Sequence, residues 1–178
     1  EQSPGVDSVV IGLVTNTNGT INAVDVDFQG GVSNADIMNV NGDTTATTVT
    51  NTGNGVLTIA NGFTLDANVT QDSATASIDI DGTLGTGGTA VLTLNEGLAT
   101  LNGTVSGTVV LNGDGATLTT GAQASLADSV VAGLVTNTNG TINAADVNFQ
   151  GGVTNADVMN VTGNTTSTTV TNTGNGVL

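Results

Sequence analysis

Apolar and polar residues alternate along this chain in short stretches that stop at glycine-bearing turns. Met38-Asn39-Val40, Leu57-Thr58-Ile59, Ile78-Asp79-Ile80, Leu98-Ala99-Thr100-Leu101 and Ala116-Thr117-Leu118 are of this kind. A period of two sends one side of a strand inward and the other outward. An Asn-Gly, Asp-Gly or Thr-Gly pair follows each stretch, at 41–42, 61–62, 81–82, 102–103 and 120–121, and Asn-Gly recurs at 18–19 and 139–140. Glycine enters the left-handed region freely and Asn tolerates it, so these pairs predict turns. A second set of β-rich stretches, at 26–31, 49–55, 69–72, 91–97 and 109–115, lies between them. Each interval therefore holds at least two strands and two turns, and the prediction is all-β.

The intervals are regular. From Gly19 through Gly42, Gly62, Gly82, Gly103 and Gly121 to Gly140 the steps are 23, 20, 20, 21, 18 and 19 residues. Together they span 121 residues, and that is also a long repeat: residues 7–57 return at 128–178 with 43 of 51 positions identical. A period of about 20 residues signals a solenoid. The expected fold is a single-stacked β-solenoid, a parallel β-helix with six rungs per 121-residue repeat. Residues 1–121 form the first long repeat, with rungs ending near 19, 42, 62, 82, 103 and 121. Residues 122–178 form a partial second repeat continuous with it. At about 4.8 Å per level, six rungs would advance roughly 29 Å. The alternative is a string of Ig-like β-sandwich domains. A solenoid is preferred because each rung contacts only its neighbours, so such a stack can stop after any rung, whereas half a sandwich leaves an open core.

The alternation also predicts faces. Val24, Val26 and Phe28 should point inward with Asp25 and Asp27 outward, and Ile78 and Ile80 inward with Asp79 and Asp81 outward. The stretch 20–42 is the longest interval, and its extra residues near Gly30 to Asn34, repeated at Gly151 to Asn155, suggest a protruding loop. Differences between the two copies are mild: Ile11 becomes Ala132, Val24 becomes Ala145, and Ile37 becomes Val158. Asp27 becomes Asn148 and Asp43 becomes Asn164, so two charges are dispensable.

Charge narrows the function classes. The 178 residues contain no Lys, Arg or His against 15 acidic residues, for a net charge of −15. Such a chain has nothing with which to neutralise phosphates, which argues against nucleic acid, and anionic lipid surfaces would repel it. No apolar run approaches the length that spans a bilayer as a helix, so no membrane insertion is expected. Trypsin-like proteases have no site to cut. The absence of Cys leaves the fold without disulfides. A chain opening on Glu1 is expected of a processed protein or part of a longer one.

Candidate chemistry is sparse. Without His, Cys, Lys, Arg, Tyr or Trp, no Ser-His or Cys-His pairing is possible. Carboxylate-pair chemistry is the one conventional option. Its closest pairs, Asp25/Asp27 and Asp79/Asp81, should face solvent with no aromatic wall to raise one pKa, so no enzyme is expected. Cofactors are not expected either, with Ca²⁺ the one possibility: hard oxygen ligands suit that ion, and Asp25, Asp27, Asp79 and Asp81 are the candidate weak sites. Neither the Gly-Gly-x-Gly-x-Asp nonapeptide nor an EF-hand spacing is present. Thr48, Thr50 and Thr52, repeated as Thr169, Thr171 and Thr173, raise ice binding. The expected ladder breaks, since the equivalent stretches read Val-Thr-Gln-Asp at 69–72, Val-Leu-Thr-Leu at 91–94 and Val-Val-Leu-Asn at 109–112.

The stretch Val49-Thr50-Asn51-Thr52-Gly53-Asn54-Gly55-Val56-Leu57-Thr58-Ile59-Ala60-Asn61-Gly62 resembles the β-helical repeats of bacterial surface adhesins and autotransporter passengers. The likeness is one of composition and period over nearly the whole chain. It implies a secreted or cell-surface protein acting as a stalk, adhesin or matrix fibre. The expected function is that of an extracellular structural protein, contributing to a surface filament by rung stacking and end-to-end self-association. The alternative is an adhesin module recognising a receptor or glycan through the loop near Gly30 to Asn34.

Overall fold

The computed structural model describes residues 7–122 and 127–178. Among them the chain is all-β and winds as a parallel β-solenoid of eight complete levels and the start of a ninth. Each level carries three strand segments, so the coil has three faces. The first face stacks Ser8–Val10, Val26–Phe28, the leading parts of Thr44–Asn51 and Thr64–Gln71, then Thr83–Leu84, Thr104–Val105, Ser129–Val131, Val147–Phe149 and Thr165–Ser167. The second stacks Val14–Asn16, Val32–Asn34, the trailing parts of the same two long strands, then Val91–Leu94, Thr108–Leu111, Val135–Asn137, Val153–Asn155 and Val170–Asn172. The third is an eight-stranded sheet from Thr20–Ala23 to Val158–Val161, with a single bridge from Val158 to Val177 beginning the next level. The ladders between successive levels are parallel, with one register shift, between Thr45 and Thr48 where Thr44–Asn51 pairs with Thr64–Gln71.

The interior follows from the alternation. On the second face Val14, Val32, Val49, Val69, Leu92, Val109, Val135, Val153 and Val170 form one column. On the third, Ile21, Met38, Leu57, Ile78, Ala99, Leu118, Ile142 and Met159 form another. Nearly all of these are buried away from the two ends of the stack. Stacking like on like fills a narrow core, and Phe28 and Phe149 are its only buried aromatic rings among the described residues.

The six-level period holds: Val135 lies six levels and 121 residues after Val14. The corners differ from expectation in one place. Asn18-Gly19 and Asn139-Gly140 turn the chain from the second face to the third, whereas the pairs at 41–42, 61–62, 81–82 and 102–103 turn it from the third to the first. The corner that ends the first level is Val24-Asp25, which lacks glycine; Asp25 itself takes the left-handed conformation, with φ of 47°. As a result Val24 is 52% exposed rather than inward.

The same shift corrects the expected loop. Residues 30–34 do not protrude. Gly30-Gly31 is a tight corner, and Val32–Asn34 is a strand paired with Val14–Asn16 on one side and with the Thr44–Asn51 strand on the other. Residues 151–155 behave identically, with Val153–Asn155 paired on both sides. The stretch 20–42 looked long because it holds two third-face strands rather than one. The real excess length lies elsewhere, in the excursion 85–90 between Thr83–Leu84 and Val91–Leu94, and between Thr120 and Ser129, where 123–126 lie outside the described residues.

A column of amides runs through the core at the end of the second face. Asn16, Asn34, Asn51 and Gln71 occupy it in levels one to four, Leu94 and Leu111 in the next two, then Asn137, Asn155 and Asn172. Wherever the next level also carries an amide, the nitrogen donates to its oxygen: Asn16 to Asn34 at 2.8 Å, Asn34 to Asn51 at 2.8 Å, Asn51 to Gln71 at 3.2 Å, Asn137 to Asn155 at 2.8 Å and Asn155 to Asn172 at 2.9 Å. The same nitrogens hold the corner carbonyl of their own level and a third-face carbonyl one level on. Asn34, for instance, donates to Asp36 O at 3.0 Å and Val56 O at 3.1 Å. Buried carbonyls at sharp corners need such partners. Where Leu111 interrupts the column, the Oδ1 of buried Asn137 has no partner.

Candidate functional surfaces

The four aspartates singled out in the sequence are not brought together. Asp25 sits exposed at the corner ending the first level and Asp27 on the first face of the second level. Asp79 lies on the third face of the fourth level, with Asp81 at the corner after it. Asp27 Oδ2 accepts from Gln29 Nε2 at 2.9 Å and its Oδ1 from Thr45 Oγ1 at 2.7 Å. These bonds, Gln29 first and Thr45 second, hold its carboxyl below the ordinary carboxylate range. Asp81 accepts from Asn102 Nδ2 at 3.0 Å. Asp79 is half-buried between Thr58 and Thr100 on the neighbouring strands, and its Oδ1 has no partner. Desolvation, aided by the nearby Asp81 charge, pushes its carboxyl above the ordinary range. Among the described residues no group of three or more acidic side chains is arranged to hold a metal ion.

A shallow hollow of about 190 Å³ on the first face is bordered by Asp7, Asp43, Thr45, Thr64, Asp66 and Thr86. Two of its carboxylates, Asp43 and Asp66, brace the coil. Asp43 Oδ1 accepts from the Thr64 amide at 3.0 Å, and Asp66 accepts from both the amide and the hydroxyl of Thr86, at 3.1 and 2.5 Å. The Asp66 bonds tie the excursion 85–90 to the level before it.

The second face carries the most regular surface. Its middle outward column reads Thr15, Ser33, Thr50, Thr70, Thr93, Val110, Thr136, Thr154 and Thr171. The ladder expected to break at 69–72 and 91–94 runs through both, and only Val110 interrupts it. The columns beside it do break, as expected: Thr48 is followed by Asn68. The middle-column hydroxyls make no hydrogen bond to another described residue, unlike those of Thr45, Thr47 and Thr52. β-Branched side chains on a strand have few χ1 choices, so this column presents a row of methyl and hydroxyl groups at strand spacing.

Sequence reasoning missed both the hydroxyl ladder and the amide column. The signal was present in the spacings of Asn16, Asn34 and Asn51, repeated at Asn137, Asn155 and Asn172. Against known proteins, the chain matches no protein-family model, no curated protein and no solved structure.

Proposed function

We propose that this chain is a stiff structural segment of an extracellular surface filament or stalk, working by rung stacking and end-to-end strand association. The observation that carries the proposal is the unbroken parallel stack through both sequence copies. Val14 and Val135, Asn16 and Asn137, and Thr15 and Thr136 occupy the same place in their levels, six levels apart. Copies of such a unit add without changing register, which is the property a filament needs. The outer strands Ser8–Val10 and Val170–Asn172 pair on one side only among the described residues, and such edges are templates for further pairing. A lysine- and arginine-free surface withstands trypsin-like proteases, as an exposed material must.

Negative-stain microscopy across a range of salt concentrations tests this. One chain should be a rod of about 40 Å, nine levels at about 4.8 Å. Rods should join end to end as salt rises, and Val170→Pro, which removes an edge donor, should shorten them. Single 40 Å particles at every concentration and salt would reject end-to-end association.

The hydroxyl ladder favours a second function, an ice-binding face. Uncharged, unbonded hydroxyls at regular spacing would order surface water. Thermal hysteresis lost in Thr70→Lys and Thr136→Lys would support it, and its absence from the parent protein would dismiss it. Were the chain instead a recognition module, the excursion 85–90 between Thr83–Leu84 and Val91–Leu94 would be its projecting part.

A further inference from the structure

We propose that Asn61 is a site of spontaneous covalent modification, the first of the chain's Asn-Gly pairs to convert to aspartate and isoaspartate. The chemistry needs only water. The backbone nitrogen of the following glycine loses its proton and attacks the Asn Cγ. A C–N bond forms, the Cγ–Nδ2 bond breaks, and ammonia leaves with a proton. The resulting succinimide takes up water at one of its two carbonyls. Opening on the side-chain side gives aspartate, and opening on the backbone side gives isoaspartate. Nothing is oxidised or reduced. The step requires a glycine amide free of hydrogen bonds, an uncommitted Asn amide, and room for the backbone to close the ring.

The fold sorts the eight Asn-Gly pairs by these requirements. Four have their glycine amide held. Gly19 N donates to Asp36 Oδ2 at 2.5 Å and Gly140 N to Asp157 Oδ2 at 2.9 Å. Gly55 N donates to Thr52 O at 2.8 Å and Gly176 N to Thr173 O at 2.9 Å. Three more are crowded. A Cβ on Gly103 would lie 2.0 Å from Gly82 O, on Gly113 1.7 Å from Asn95 O, and on Gly42 2.9 Å from Val24 Cα. The Asn partners of the first two are also committed, Asn102 to Asp81 and Asn112 to Asn95.

Asn61-Gly62 alone meets all three conditions. Asn61 is exposed and its side chain has no partner among the described residues. Gly62 sits at φ of 87° with nothing within 4 Å of where its Cβ would be. Its amide is unbonded, and one bond, Phe63 N to Ala60 O at 3.2 Å, closes the turn around it. That bond must open for the ring to close. The product adds a carboxylate one level before Asp81 and takes the net charge from −15 to −16. An isoaspartate would lengthen the main chain between Val56–Ile59 and Thr64–Gln71, outside either strand.

The test is to incubate the full chain, folded and in denaturant, at mildly alkaline pH. Intact mass then counts amide-to-acid conversions. Peptide mapping with a protease that cuts beside acidic or apolar residues locates them, because trypsin has no site. In the folded protein the first conversion should map to Asn61, and Asn61→Gln should remove that first phase while leaving the circular dichroism spectrum unchanged. In denaturant the preference should vanish. The proposal is overturned by a first folded-state conversion at Asn18, Asn41, Asn102 or Asn139. It is equally overturned if Asn61→Gln converts as fast as the parent, or if only the denatured chain gains acid groups.

Discussion

Asp79 and Asp27 show how a coil without cations treats its charges. No ammonium or guanidinium can offset a buried carboxylate here, so the carboxylates depend on hydroxyl, amide and backbone donors. Asp27 finds two, and its carboxyl is held below the ordinary range. Asp79 finds none among the described residues, one of its oxygens is buried, and its carboxyl is pushed above the ordinary range. A carboxyl whose folded pKa is raised favours the fold while protonated, and that contribution is lost as pH rises from the unfolded value of about 3.8 through the folded one. Asp27 works the other way: its contribution is present above the ordinary carboxylate range and lost as pH falls through its lowered pKa. Asp79→Asn should therefore raise Tm at pH 7, by only about 2 °C because water still screens part of the half-buried carboxyl. At a pH well below the unfolded value the gain should vanish, because the parent is then neutral too. Thermal melts at both pH values check this. An equal gain at both would mean that shape, not charge, is the cause.

At the scale of a strand, the amide column decides which levels are well tied. Asn34 and Asn137 are both fully buried, one level in from the first stretch of the column and at the start of the second. Asn34 takes part in four hydrogen bonds, because Asn16 donates to its Oδ1. Asn137 makes three, because Leu111 offers its Oδ1 nothing. Replacement by Leu strips the same kinds of carbonyl partners at each site, yet at Asn137 it also removes an oxygen already without a partner. Asn34→Leu should thus be the more damaging by about 1–2 kcal/mol, read from urea unfolding midpoints; equal losses would show that the inter-level bond contributes nothing. Much of the strand pattern was legible beforehand, since Ile78-Asp79-Ile80 and Val91-Leu92-Thr93-Leu94 declare their buried sides. What stayed hidden has physical causes. Asn-Gly builds a turn at whichever corner it stands, so Asn18-Gly19 could not announce that it closes a different corner from Asn41-Gly42. The Val24-Asp25 corner has no glycine to mark it. Asn in a β-rich chain reads as a turn residue, although Asn34 and Asn155 are core. Strands on the second face recur at intervals from 17 to 26 residues, and that spread concealed the alignment of Thr50 with Thr70 and Thr93.

Across the whole molecule, fifteen carboxylates on one rod repel each other with no internal counter-charge. A stack about 40 Å long is several Debye lengths at physiological ionic strength, so repulsion acts mainly between neighbouring levels and between rods that approach each other. Both terms weaken as salt is added, which raises stability and permits association. The fold does not bring the four candidate aspartates together: Asp25 and Asp27 lie two levels and more from Asp79 and Asp81, and among the described residues no three acidic groups are arranged to hold a metal ion. Cations should therefore act on this protein as a diffuse atmosphere. Tm should climb smoothly with NaCl, and Ca²⁺ and Mg²⁺ compared at matched ionic strength should raise it equally. Adding a chelator to protein in moderate NaCl should leave Tm where it was. A rise produced by Ca²⁺ at submillimolar concentration but not by Mg²⁺ would contradict a purely screening role and point to a specific site, with Asp25, Asp27, Asp79 and Asp81 the first to replace by Asn. The two copies supply an internal control, because Asn148 and Asn164 stand where the first copy has Asp27 and Asp43. Making Asp27→Asn and Asp43→Asn together should reduce the salt dependence of Tm in proportion to the two charges removed, whereas a specific Ca²⁺ site among them would be lost outright.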